Sequence, residues 1–326
     1  MRAKRSNLIN LKIRLPRRYA PRNDTIFMIN IISKTKYAYV FSIILVVLSI
    51  ASLFVWGLKL GIDFTGGTLM EIKFTSPIPE NSAIEAELKE LNLKSLTLQK
   101  TGDDMVLIRY ASEDDAINQQ VLAKISENNP EAKQMRVDFI NSTVSQELKS
   151  KSLWAIFWAV AGIMTYIAWA FRKVSYPVQS WKYGLGAVIA LVHDILITIG
   201  AFSLLGHFQG LEVGIPFVAA LLTILGFSVH DTIVVYDRTR ENLLRGSRKE
   251  AFADVVNRSL NETLTRSINT SLTVIITLLA IYIFGGQSIQ DFSLALLIGV
   301  TFGTYSSIFI ASALLVTFHN WSTKNN

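Results

Sequence analysis

The sequence predicts a multi-pass α-helical membrane protein: six transmembrane helices in a 1+5 arrangement, with a small α+β ferredoxin-like extracytoplasmic domain between helices 1 and 2. Three observations predict it. Six apolar runs approach the roughly 20 residues that cross a hydrocarbon core of about 30 Å as a helix. The chain is 50% hydrophobic and only 17% charged, with a mean hydropathy of +0.35, too little charge to cover a water-soluble surface of 326 residues. Between the first two runs the apolar spacing changes to that of short strands and amphipathic helices.

The runs are Tyr39 to Leu58, Leu153 to Phe171, Gly184 to Leu205, Gly214 to Tyr236, Ile268 to Phe284 and Phe292 to Phe318. The first begins far from the N-terminus and ends in Trp56-Gly57-Leu58-Lys59 without a small-residue cleavage pattern, so it reads as an anchor rather than a signal peptide. The expected organisation is a basic cytoplasmic tail at 1–38, helix 1 at 39–58, an extracytoplasmic domain at 59–151, a five-helix bundle at 152–318 and a cytoplasmic tail at 319–326. Lys and Arg decide the orientation, because they favour the cytoplasmic side in short loops. Residues 1–38 carry ten, 172–183 three, 238–266 seven and the tail one, while 206–213 and 285–291 carry none. Both termini are therefore expected in the cytoplasm.

In the outer segment Thr68 to Phe74 alternates as a strand, and Pro79 and Glu80 open a helix with Ile84, Leu88 and Leu91 on one face. Leu96 to Gln99 and Met105 to Tyr110 read as strands joined by a turn at Gly102-Asp103-Asp104. Asp114 or Asp115 caps a helix that turns Ile117, Val121, Leu122 and Ile125 inward, and Met135 to Ile140 is the last strand. The order β-α-β-β-α-β is the split ferredoxin-like arrangement. That fold carries no chemistry by itself.

Composition removes several function classes. The absence of Cys excludes a disulfide framework, a thiolate metal site and a Cys nucleophile, and four scattered His leave little for zinc. There is no phosphate-binding glycine loop, and no nucleophile with a base outside the spans, so neither an enzyme nor a bound cofactor is expected. The net charge of +7 does not indicate nucleic acid, since the basic residues lie between apolar runs.

Ionisable groups inside spans are costly and usually face a bundle interior. Asp194, next to His193, lies midway along span three, and Asp231, next to His230, lies in the inner half of span four. Asp237, with Arg238, Arg240 and Glu241, reads as an interfacial charge cluster at the end of span four. Arg266, Asn269, Thr270, Thr273 and Thr277 form one polar stripe on span five, expected to face other helices or water rather than lipid. Ser228 shares a face with Asp231, whereas His230 points about 100° away from it.

One reading is a proton relay in which Asp231 takes up and releases a proton as Arg266 approaches or withdraws, with Asp194, His193, His230, Asn269 and Thr270 as lesser candidates. The competing reading is a structural clamp between Asp231 and Arg266, and for His193-Asp194 a static hydrogen-bonded cluster. Gly184 with Gly186, and Gly299 with Gly303, allow close helix approach either within the chain or at a partner seam.

The residues also carry a resemblance. Gly61-Ile62-Asp63-Phe64-Thr65-Gly66-Gly67-Thr68, Leu191-Val192-His193-Asp194, the run Gly226 to Asn242 with Asp231 inside it, and Arg266 to Ser271 resemble the SecD/SecF family, on its SecF side, in order and spacing from about 30 to 320. The resemblance implies an accessory of the Sec translocon, related to resistance-nodulation-division transporters, that uses the proton-motive force to promote late steps of export across the bacterial cytoplasmic membrane. It implies SecD as the partner that supplies a second set of spans, the SecY/SecE/SecG channel and a translocating polypeptide as contacts, and YajC and YidC as further neighbours. It matches Asp231 to the proton-path carboxylate, Arg266 to its partner, and Asp63, Phe64, Gly66 and Gly67 to a turn between span one and the outer domain. Where the family favours Asn, this chain has His230, which can itself titrate.

Two rival functions stand beside it. A stand-alone proton-coupled small-molecule exporter would act as a homo-oligomer, supplying the second repeat itself. A sensor would need a larger cytoplasmic output than these loops offer. Residues 1–27, basic and holding Pro16 and Pro21, are expected to be a poorly ordered tail drawn to anionic lipid, or to precede the true start at Met28.

Overall fold

The computed structural model describes residues 29–75, 78–102, 104–112, 114–172, 178–245, 250–285 and 287–324. The stretch 1–27 lies outside them. Six helices are long and apolar enough to cross a membrane. They are α1 (Thr35–Trp56), α5 (Ser142–Ala170), α6 (Ser180–Gln209), α7 (Ile215–Arg245), α8 (Phe252–Phe284) and the pair α9 (Gln287–Ser306) and α10 (Ser312–Lys324), joined by a π-helical turn at Ser307–Ala311. Between α1 and α5 lie the one-turn helix α2 (Ile62–Thr65), strand β1 (Gly67–Lys73), α3 (Asn81–Leu88), β2 (Thr97–Thr101), β3 (Met105–Tyr110), α4 (Asp115–Asn128) and β4 (Lys133–Ile140).

The helices outrun the apolar segments that predicted them. The boundary expected at 151 falls inside α5, which starts at Ser142 because Asn141 takes the Thr143 N–H at 2.8 Å and caps it. α8 begins at Phe252 rather than Ile268, and α7 continues past Tyr236 to Arg245. Hydropathy marks where lipid begins, but backbone hydrogen bonding continues wherever polar turns are paired. Here Arg238 Nε donates to Glu262 at 2.5 Å, and Asn242 donates to Ser259 at 3.0 Å and to Glu262 at 2.7 Å. The tail expected to reach 38 is already helical from Ile32. Asn257 accepts the N–H groups of Ile31 and Ile32, and Asn261 bonds both backbone groups of Ile29, so this entry is stitched to α8.

The outer domain has the expected order, and its sheet runs β2-β3-β1-β4 with every neighbour antiparallel. Met70 faces Ile108 on one side and Val137 on the other, while Leu98 faces Ile108. Period-2 alternation puts Met70, Ile72, Val106 and Ile108 on the face covered by α3 and α4, where Ile84, Leu88, Val121 and Ile125 close the core. Asp114 caps α4 by accepting the Ala116 N–H at 2.9 Å. On the opposite face Arg109 pairs with Glu212, between α6 and α7.

In the bundle, small residues decide the approach of the helices. Gly200 on α6 lies directly against Ser49 of α1, and Ser203 donates to Ser52 O at 3.0 Å and Gly57 O at 2.6 Å. Gly299 lies against Ile224, Gly303 beside Ser228, Gly186 under the Tyr236 hydroxyl and Gly184 beside the backbone of Met164. All four glycines therefore pack within the chain.

Candidate functional site

Two buried carboxylates sit where α6, α7, α8 and the π-turn meet. Asp231 on α7 is 6% exposed, and its two oxygens accept hydroxyls from Ser267 of α8 and Ser307 of the turn, both at 2.5 Å. Asp194 on α6 is fully buried. It accepts Ser228 Oγ at 2.6 Å and Ser306 Oγ at 2.7 Å, and its other oxygen lies 2.9 Å from His193 Nδ1. Ser228 precedes Asp231 by three residues, so one face of α7 serves both acids.

The π-turn places the serines. A wider turn leaves backbone carbonyls without their usual partner, and here Ser312 donates to Ser307 O at 2.9 Å and Tyr236 donates to Ala311 O at 3.1 Å. Adjacent residues on a helix point about 100° apart, so Ser306 reaches α6 while Ser307 reaches α7. Among the described residues no lysine or arginine forms an ion pair with either carboxylate. A hydroxyl donates to an ionised carboxylate and accepts from a protonated one. The site can therefore serve either protonation state with the same side chains.

Several predicted site residues stand elsewhere. Arg266 does not contact Asp231: it is exposed and lines a cleft of about 590 Å³ with Asp237, Arg238, Arg240, Glu241 and Glu262. Asn269, Thr270, Thr273 and Thr277 are exposed on the same face. The face of α8 that meets Asp231 is the adjoining one, with Ser259, Thr263, Ser267 and Ser271 buried. The helix bears two polar stripes side by side, and periodicity alone cannot say which one its own bundle covers. His230 is exposed and turned away from Asp231 as its helical position requires. His193 and Asp194 are brought together. Ser267, Ser306 and Ser307 were missed by the sequence reading; the four-residue serine and threonine repeat from Ser259 to Ser271 is the signal that could have found the first.

The segment from Asp63 to Gly67 is a packed junction rather than a plain turn. Asp63 Oδ2 accepts the N–H of Ile215, the first residue of α7, at 2.7 Å. The root of the outer domain thus holds the start of the helix that carries Asp231. Phe64 packs into the apolar cluster with Phe202 and Phe217. Gly66 and Gly67 have φ of +74° and +111°, and a Cβ on Gly67 would lie 2.6 Å from Tyr110 O, so conformation and contact both require glycine. Beside them Gly61 N–H donates to Val213 O at 2.9 Å and Val213 N–H to Lys59 O at 2.8 Å. Arg109 of β3 forms an ion pair with Glu212 in the loop between α6 and α7. Burial lowers the Arg109 guanidinium to about 10, with Asp291 and Asp63 opposing that shift.

Comparison with known proteins identifies the family. The family model for protein export membrane protein SecD/SecF, C-terminal, matches residues 120–321, and that for the SecD/SecF GG motif matches residues 51–78. A protein translocase subunit SecF from Thermobaculum terrenum is 45% identical, over 90% of this chain and 95% of that protein. One from Sebaldella termitidis is 38% identical, over 86% and 89%. The crystal structure of SecDF, a translocon-associated membrane protein from Thermus thermophilus, superposes with a TM-score of 0.79 at 32% identity, over 90% of this chain and 39% of that one. A second SecDF structure, in a super-membrane-facing form, gives 0.65 at 32% identity, over 91% and 40%. This chain thus spans about two-fifths of those solved chains.

Proposed function

We propose that this chain, which belongs to the SecD/SecF family of protein-export membrane proteins, couples proton movement to late steps of protein export across the bacterial cytoplasmic membrane. The observation that carries the reading is Asp231, buried between helices and held by Ser267 and Ser307, with no lysine or arginine paired to it among the described residues. An ionisable group kept in such a place at a cost is expected to exchange its proton during function. The Asp63 bond to the start of α7 supplies a mechanical link, through which a shift of α7 on protonation reaches the outer domain.

The exposed stripe from Arg266 to Thr277 is polar surface on a membrane helix, which a second bundle would cover. SecD is the partner proposed for that face, and Arg266 would act from there on the proton path. The SecY/SecE/SecG channel and the emerging polypeptide are the contacts proposed for the chain as a whole. Loop charges support both termini lying in the cytoplasm, with the outer domain on the far side.

The test is Asp231→Asn, which retains shape and hydrogen bonding but cannot titrate. Export stimulation by reconstituted complexes should be lost while insertion and pairing persist, and full export in this variant would overturn the reading. Arg266→Lys keeps charge but loses the planar fork, and partial loss is expected. Activity of the chain alone as a homo-oligomer, without a SecD-like partner, would instead favour a small-molecule exporter.

A further inference from the structure

The geometry points to a second proton-exchanging site at Asp194–His193, coupled to Asp231 through the adjacent serines Ser306 and Ser307, where α9 meets the π-turn. The inference rests on the proton-coupled reading above and extends it to a pair of acids. Three observations support it. Asp194 is fully buried, and its contacts are Ser228 of α7, Ser306 of α9 and His193 of its own helix; no lysine or arginine pairs with it among the described residues. Among the described residues, His193 Nε2 is buried without a hydrogen-bond partner. A bare nitrogen on a ring whose other nitrogen meets a carboxylate is a place where a water or a proton can arrive. Next to it Tyr305 stacks on the imidazole at 6.2 Å, with its hydroxyl turned to Ala38 O at 3.0 Å.

The third observation is how the two acids are joined. Ser306 and Ser307 are consecutive, and each donates to a different acid. Ser228 also donates to Asp194 from the helix that bears Asp231. When Asp231 gains a proton, its hydroxyl becomes a donor, and Ser307 must give up donating to the oxygen that carries the proton. Ser307 can then turn fully to Thr304 O, which already lies 2.9 Å from its hydroxyl. That switch reorients a hydroxyl dipole on the residue next to Ser306, the donor to Asp194, so the charge state of one acid is felt in the hydrogen bonding of the other. The two acids therefore titrate as a pair whose midpoints depend on each other.

The experiment uses the full chain reconstituted with its membrane partner, followed by infrared difference spectroscopy of protonated carboxyl groups across a pH titration. Asp194→Asn and Asp231→Asn should each remove one band, and Asp231→Asn should move the midpoint of the Asp194 band by about one pH unit or more. Ser307→Ala and Ser306→Ala should shrink the interdependence while both bands remain. Ser312→Ala removes the α10 hydroxyl that donates to Ser307 O without touching either acid, and should leave the midpoints in place. His193→Gln provides a readout should Asp194→Asn not assemble: it should shift the Asp194 midpoint. An Asp194 band that never titrates, or whose midpoint ignores Asp231→Asn and His193→Gln, overturns the inference. Loss of export in Asp231→Asn alongside that result would leave the single-site reading intact, so the two failures are distinguishable.

Discussion

Below its sheet the outer domain is closed by apolar side chains, from Met70 and Ile72 to Val121 and Ile125, with the Tyr110 hydroxyl donating to Asn118 at 2.7 Å as a polar contact at the edge. Between the membrane helices the buried set is mixed. Ser203, Ser228, Ser259, Ser267, Ser271, Ser306 and Ser307 lie among the aliphatic residues, and two carboxylates lie among them. Water drives the first arrangement, because burying apolar area removes it from solvent. Lipid tails are as apolar as leucine, so the bundle gains little from apolar burial and relies on close approach and on satisfied polar groups. One chain thus folds by two balances of force. The two buried carboxylates lie in the part where polar burial can be satisfied by neighbours.

Perturbations of each region should separate these balances. The largest effect is expected at Ile108, fully buried at the centre of the sheet, where Ile108→Ala should cost about 2–5 kcal/mol. Amide hydrogen exchange in the full chain would read it as lost protection in residues 67–140 with the membrane helices unaffected; equal loss in both regions would break the comparison. Next is Gly200→Val, which drives a branched side chain into Ser49 and should cost about 1–3 kcal/mol by overpacking. Thermal unfolding in detergent would detect it, and a neutral result would mean that α1 and α6 need not approach closely.

Asp63→Ala removes the acceptor for the first N–H of α7, an expected cost of about 0.5–2 kcal/mol. Faster exchange at the start of α7 together with residues 61–67 would show that the two regions are joined there. Exchange confined to one side would separate them. The smallest effect is expected for Ser203→Ala, about 0.6 kcal/mol, because a hydroxyl donor between membrane helices contributes little over what the unfolded state also finds. A cost several times larger, by the same thermal measurement, would show that hydroxyl bonds rather than close approach hold α1 to α6.

The outer domain was legible almost residue by residue, since alternation and amphipathic spacing report directly which face meets a core; Met105–Tyr110 is a strand at the residues expected. Helix ends were less legible. The first turn of α5 is helical because Asn141 caps it, and the polar part of α8 before Ile268 is held by Asn242 and Arg238 of α7, which pair Ser259 and Glu262. The site was legible in its acids and illegible in its partners. Asp231 and Asp194 stand out because a carboxylate in an apolar run is costly, whereas a serine in such a run has no comparable signature.

The sequence by itself determined six spans, one outer domain of split ferredoxin-like order, and the two acids as the residues to watch. Those follow from local period, length and transfer cost, each of which can be read along the chain. Tertiary structure alone decided that Ser267 rather than Arg266 meets Asp231, that the junction of α9 with the π-turn hands adjacent serines to two different acids, and that Asp63 holds the start of α7. The reason is rotational. Neighbouring residues on a helix face directions about 100° apart, so the choice between two polar stripes depends on where other helices stand, and no single segment contains that information.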